Sequence, residues 1–438
     1  MPQRCPQSAQ PKPAFLAKAA SGETESSLAQ VGKDSFGAAL VNHIGQSLLA
    51  EQVNLIIICM TLKALLAIGL CCASQMLAAS GAGAERSTRI AAAQSMPPYP
   101  PSRAIKRINW HWDTLTFAAP GSDLWPVTCG PDGLLYAAWG DGGGFGGSDS
   151  DGRVAMGFAR INGDPYHWSG VNVNGGKHPE HPATFPKAGK TSGIAFIDDA
   201  LYASVNLQDG IWPDVNHVLV WSTNRGADWT RAGWLFARGN GHFHPATFVN
   251  FGTNAAAGPG ALAGFVYLCG PKQNPDPGNG NRLYLARVSK DSLHKLGAYE
   301  FVRGIDGKGN ALWTPEARQA EAIFTDLNGV THGSIIYLPM LKRFVLTCFH
   351  VGPGQLGVFD APKPWGPWTT VEYYEDWGGM GAEGEGLTCS FPLKWASADG
   401  LTLWSMFSVY GEGAKRGIKA HDRLNLVKAT LEVIALHP

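Results

Sequence analysis

Leu135-Tyr136-Ala137-Ala138-Trp139-Gly140 is an apolar run headed by an aliphatic–aromatic pair, and that pair returns at near-constant intervals along the chain. Leu201-Tyr202, Val266-Tyr267, Ile336-Tyr337 and Leu403-Trp404 repeat it, with steps of 66, 65, 70 and 67 residues between the aromatic positions. A second strand-like series keeps the same phase: Phe158–Ile161, Val218–Trp221, Leu285–Val288, Gly357–Asp360 and Val427–Thr430. Turn signals separate the runs, among them Pro131-Asp132-Gly133, Asp198-Asp199, Asn224-Arg225-Gly226 and Ala398-Asp399-Gly400. Short apolar runs bounded by such turns read as antiparallel strands. Five copies in phase predict an all-β, five-bladed β-propeller, whose radial repetition leaves only short edges. The step exceeds the roughly 40–50 residues of compact blades, so the surplus belongs to long Gly/Pro-rich loops such as Gly140–Gly147 and Pro275–Gly280. Two β-sandwich domains would not produce equal steps. Only Pro315–Ile323 has the pattern of an amphipathic helix.

Composition narrows the function. Among 438 residues, 35 Lys and Arg balance 35 Asp and Glu, so the broad basic field that nucleic-acid binding needs is missing. All 15 tryptophans lie at or after Trp110, and the composition changes near residue 105. Residues 1–59, Ala-, Ser- and Gln-rich, read as a non-structured extension or a mis-called start. Met60 offers a second start, followed by Lys63, the apolar run Ala64–Cys72 and the small residues Ala82-Gly83-Ala84. That order is the pattern of a cleaved export leader over 60–84, with a linker over 85–107 and the propeller over 108–436. A membrane anchor over Val53–Ala79 is interrupted by Lys63 and Gln75, against a need for about 20 mainly apolar residues. The expected location is therefore secreted or periplasmic. No membrane association is expected after cleavage.

Four cysteines remain after such cleavage: Cys129, Cys269, Cys348 and Cys389. They read as buried apolar residues or one structural bridge, the pairing being open, and their spacing matches no zinc pattern. Ser222-Thr223-Asn224-Arg225-Gly226-Ala227-Asp228-Trp229 is close to the Asp-box S-x-D-x-G-x-x-W, with Asn in place of Asp. There the Asn224 side chain would hold an outer hairpin turn and Trp229 would pack under it, a structural role.

Four further stretches carry a resemblance. They are Asp123-Leu124-Trp125-Pro126 leading to Leu135–Gly142, Lys190-Thr191-Ser192-Gly193-Ile194, Tyr299-Glu300-Phe301 through Asp306 to Trp313, and Pro364–Trp368 with Pro392–Trp395. Over about residues 108 to 433 the chain resembles a bacterial family of secreted five-bladed propellers, long catalogued as a domain of unknown function. Some members are glycoside hydrolases that cut D-arabinan inside the chain. The resemblance implies a polysaccharide or oligosaccharide as partner, and acidic catalytic residues at the places Asp123 and Asp141 occupy.

The residues support that chemistry independently. Glycoside hydrolysis needs two carboxyl groups flanking one bond, one to protonate the leaving oxygen and one to attack or to activate water. Asp123 stands at the start of one expected strand and Asp141 just after the next, so antiparallel pairing brings both to one rim of a hairpin. Each aspartate alone would equally serve as a turn cap. Trp125, Trp139 and Tyr410 are candidate stacking surfaces for sugar faces, and His332 and His350 candidate hydroxyl ligands. His242 and His244 share one side of a strand but lack a third metal ligand. Asp149 and Asp151 sit in a turn without the order of a calcium loop; Glu383 and Glu385 lie on a Gly-rich loop, and Glu316 and Glu321 on a surface turn. No metal and no cofactor is expected, and the chain is expected to act as a monomer. A sialidase would open with Arg-Ile-Pro, and a serine hydrolase would show G-x-S-x-G; neither occurs. The rival from another class is a non-catalytic, carbohydrate- or partner-binding propeller.

Overall fold

The computed structural model describes residues 96–183, 189–210, 215–239, 241–255, 258–272, 280–350 and 356–434. The chain divides into two units, Met1–Arg86 and Ser87–Pro438. The first unit, with the expected extension and leader, lies outside the described residues.

Five antiparallel sheets form the second unit. Blade one contains Asp123–Cys129, Leu135–Gly140, Met156–Gly163 and Trp168–Asn174, and blade two contains Lys190–Ile197, Ala200–Asn206, His217–Ser222 and Thr230–Arg231. Blade three runs Thr247–Phe248, Phe265–Gly270, Arg282–Ser289, Glu300–Ile305 and Ala311–Thr314, with Phe324–Thr325 added against its third strand. Blade four contains Thr331–Leu338, Arg343–Phe349, Leu356–Ala361 and Thr369–Tyr374. Blade five takes Glu385–Ser390, Thr402–Tyr410 and Leu424–Val433 from the end of the chain and Ile105–Ala118 from its beginning. The first strands of the five sheets touch one another in cyclic order, which makes them the inner wall of a ring. This is the five-bladed propeller the repeat predicts.

Periodicity located the strands with one displacement. The second series falls on the third strand of every blade, and four of the five aliphatic–aromatic pairs fall on second strands. Ile336-Tyr337 instead lies in the inner strand of blade four. Both inner strands of that hairpin are apolar, so the pattern itself does not distinguish them. The Pro315–Ile323 stretch forms only a short 3-10 turn, Ala317–Gln319. The helix α1, Gly411–Arg416, lies elsewhere, above blade five. The N-terminal strand starts at Ile105 rather than at 108, and the residues before it are already packed. Tyr99 packs tilted against Phe324 and edge-on to Phe359, with ring centres 5.1 and 6.0 Å away, and Ser102 N donates to Thr370 O at 2.7 Å.

Apolar faces pack between neighbouring blades. One cluster joins blades five and one through Trp125, Trp139, Trp395, Trp404 and Met406. Another runs through blades one, two and three, and includes Phe158, Phe196, Phe236 and Phe301. Because each blade buries both faces against its neighbours, a blade has no core of its own, and closing the ring completes the burial.

Candidate active site

Strands one and three of each blade run one way and strands two and four the other. Residues that open the inner strands therefore meet at one mouth, together with residues that end the second strands. Asp123 opens the inner strand of blade one, Lys190 that of blade two and Glu385 that of blade five. Asp141 follows the second strand of blade one, and Tyr410 ends that of blade five. Asp123 pairs in register with Gly140, the residue before Asp141, so the two aspartates share one rim of one hairpin.

Irregular backbone frames this rim. The inner strand is bulged between Leu124 and Val127, and blades two, four and five carry register shifts near the same end of their inner strands. Leu124, Trp125 and Asp141 have φ of 70, 64 and 55°. Bulky residues avoid this left-handed region unless the surroundings impose it, and bulges beside functional sites re-aim side chains.

The two carboxyls meet different surroundings. Asp123 Oδ1 is buried without a hydrogen-bond partner among the described residues. It lies so close to Gly140 that a Cβ there would stand 2.5 Å from it. Burial lifts this carboxyl to about 7, helped by the charges of Asp141 and Asp422 and opposed by Lys190 and Arg153. Asp141 is instead an ion pair, with Oδ1 2.5 Å from Lys190 Nζ and 3.4 Å from Arg153 Nη2. Lys190 is largely buried and also donates to Ala155 O at 2.9 Å. One carboxyl thus keeps its proton into the neutral range beside another held between two cations. Pairs of acids in contrasting environments are the arrangement that divides acid and base roles.

The glycine loop after Asp141 is fixed by hydrogen bonds. Buried Asn172 donates from Nδ2 to Gly143 O, Phe145 O and Lys177 O at 3.0, 3.1 and 2.8 Å, and accepts from Phe145 N at 2.9 Å. Gly144 N donates to Ser122 Oγ at 2.9 Å, next to Asp123. Asp149 pairs with Arg153 and Asp151 with Lys177, which makes them solvated turn residues that also orient the cations. Glycine is required at 144 and 157, where a Cβ would stand 2.6 and 2.2 Å from the Trp139 ring.

Two expectations about aromatic residues are corrected. Trp125 and Trp139 are fully buried, stacked on each other with ring centres 5.5 Å apart. Their indole nitrogens donate to Ser122 O and Gly142 O. Rings with no exposed face have none to offer a sugar; they support the rim from beneath. His350 is corrected too. It directly follows its blade's second strand but is buried, with Nε2 3.0 Å from Asp326 Oδ2 and its ring against Tyr373, which leaves it no exposed face to offer a sugar. His332 is the second residue of the same blade's inner strand, and its side chain lies outside the described residues. Tyr410 is 50% exposed at the mouth, with its ring centre 4.8 Å from that of His421.

His244 is buried, with Nδ1 3.0 Å from Val215 O, and no group of three metal-ligating side chains occurs among the described residues. The four cysteines are free and buried. Lys190, Arg153 and Asp422 were not foreseen. Lys190 had a signal, since it stands 67 residues after Asp123, one repeat step, at the matching position of the next blade.

Several solved structures are similar to the chain at low identity. A GH43_1 enzyme from Xanthomonas citri is 11% identical, over 74% of this chain and 92% of that one, with a TM-score of 0.42. An exo-β-1,3-galactanase from Phanerochaete chrysosporium is 8% identical, over 73% and 64%, with a TM-score of 0.41. An α-L-arabinofuranosidase from Fusarium graminearum is 9% identical, over 76% and 98%, with a TM-score of 0.35. No curated protein matches the chain. Residues 192–385 match the model of a domain of unknown function, DUF4185, a span from the second blade's inner strand to the start of the fifth blade's that leaves Asp123 and Asp141 outside it.

Proposed function

We propose that this propeller is a glycoside hydrolase that cuts a polysaccharide at the mouth of the ring, with Asp123 as proton donor and Asp141 as its partner. The observation that carries the proposal is the unpartnered, buried Asp123 oxygen beside the ion-paired Asp141. An acid that retains its proton near neutrality can give it to a glycosidic oxygen as the C–O bond breaks. Asp141 then attacks the anomeric carbon or takes a proton from the water that does. Lys190 and Arg153 hold Asp141 in place, and Asn172 fixes the loop that bears Arg153. Exposed Tyr410 offers a face for a sugar, and exposed Glu385 an acceptor for hydroxyls. Export on the leader over residues 60–84 would deliver the protein to extracellular glycans; no helix among the described residues is long and apolar enough to cross a membrane. Arabinan ranks first among substrates because of the family resemblance noted in the sequence.

Release of reducing ends from plant, fungal and mycobacterial-type polysaccharides, arabinans first, tests the proposal. The wild type is expected to cleave at least one of them. Asp123→Asn and Asp141→Asn are each expected to lower the rate by about 10²-fold or more, the scale of a lost acid or base, with unchanged circular dichroism. Equal activity in both variants and wild type would refute the assignment.

A further inference from the structure

The carboxyl pair has a third acidic neighbour that belongs to another blade. Asp422 lies just before the third strand of blade five, and its backbone oxygen accepts from Gly121 N at 2.8 Å, two residues before Asp123. Its own N–H donates to Val409 O at 2.8 Å. Asn425, fully buried, clamps the same loop by donating to Ala420 O, Arg423 O and Phe407 O at 2.9, 3.1 and 3.3 Å. Within this clamp Asp422 has a φ of 51°, a conformation a non-glycine residue keeps only when its surroundings over-determine it. The clamp fixes Asp422 against the turn that leads into Asp123.

We propose that Asp422 is a positioning residue of the acid pair, a negative charge supplied across the junction of blades five and one that keeps the proton on Asp123. It rests on the reading of Asp123 as proton donor. The charged groups around Asp123 come from three blades: Asp141 and Arg153 from blade one, Lys190 from blade two and Asp422 from blade five. His421 and Arg423 flank Asp422, and Glu385 is exposed at the same rim. Two of these groups favour the proton on Asp123 and two oppose it. Removing Asp422 tips that balance toward the cations. The donor is therefore complete only when the last blade meets the first.

Infrared titration of carboxyl C=O absorption in the full-length chain, labelled with carboxyl-¹³C aspartate, tests this. The band that titrates near neutrality is assigned to Asp123 by its loss in Asp123→Asn. In Asp422→Asn its midpoint is expected to fall by about half a pH unit or more, and in Asp422→Glu to stay nearer the wild-type value. The alkaline limb of the rate profile should follow. A midpoint unmoved in folded Asp422→Asn overturns the proposal, as does an equal fall in Asp422→Glu, which would mark loop distortion rather than charge. A wild type that cleaves no glycan while the midpoint still moves would overturn the hydrolase reading and leave the electrostatic coupling standing.

Discussion

A carboxyl with a buried oxygen and no donor pays for its position when it ionises, and that cost has a measurable sign. Asp123 holds its proton up to about 7 in the folded chain, against about 4 for an unfolded aspartate. Between those values the native state carries a proton the unfolded state has lost, so this group makes stability fall as pH rises across that window. Asp123→Asn keeps the shape without the charge. It is expected to be more stable than wild type above about pH 7, by on the order of 1–3 kcal/mol, with the gain vanishing near pH 4. Urea unfolding at both ends of the window measures it; a variant less stable at high pH would contradict the burial argument. Lys190 opposes the rise, so Lys190→Met is expected to move the alkaline limb of kcat/KM upward in pH. That Asp123 and Asp141 share one rim was legible in the sequence, because strand ends and loop glycines announce such a rim. The tryptophans misled because all six residues of Leu135–Gly140 are buried, leaving no alternation to tell a core face from an open one.

Elements show the same division between local and tertiary signals. The turn after the third strand of blade two was readable from its motif alone. Asn224 Oδ1 accepts from Asp228 N and Ser222 Oγ, both at 2.9 Å, Gly226 N donates to Ser222 Oγ at 2.8 Å, and Trp229 Nε1 donates to Gly226 O at 3.0 Å. Asparagine thus performs the acceptor part of an Asp-box, and Trp229 packs on Phe158 of blade one with ring centres 4.1 Å apart. Asn224→Ala is expected to cost about 1–2 kcal/mol through the acceptor it removes, whereas Asn224→Asp should be near neutral; chemical denaturation separates them. The bulges at the tops of the inner strands had no such signal. Leu124 and Trp125 carry left-handed φ there, and no local residue type announces it.

At the scale of the molecule, the ring closes because the first strand of the propeller completes the last sheet. Ile105–Ala118 pairs with Leu424–Val433, and Ile105 and Ile108 are buried in the core that spans blades four and five. Deleting residues through Ala118 would expose that face and the edge of the sheet. The truncated chain is expected to lose cooperative thermal unfolding and near-ultraviolet dichroism, rather than to lose one blade and keep four. A repeat of near-constant step made the five blades countable beforehand. That the chain's beginning serves its end was not countable, because strand exchange leaves the period unchanged.

The most direct measurement is a crystal structure of Asp141→Asn soaked with an oligosaccharide from whichever glycan the wild type cleaves. A sugar is expected across the rim of blades one and five, with a glycosidic oxygen about 2.6–3.2 Å from Asp123 and a ring over Tyr410. A sugar seated at the opposite end of the ring, or one whose glycosidic oxygens all stay clear of Asp123, would contradict it.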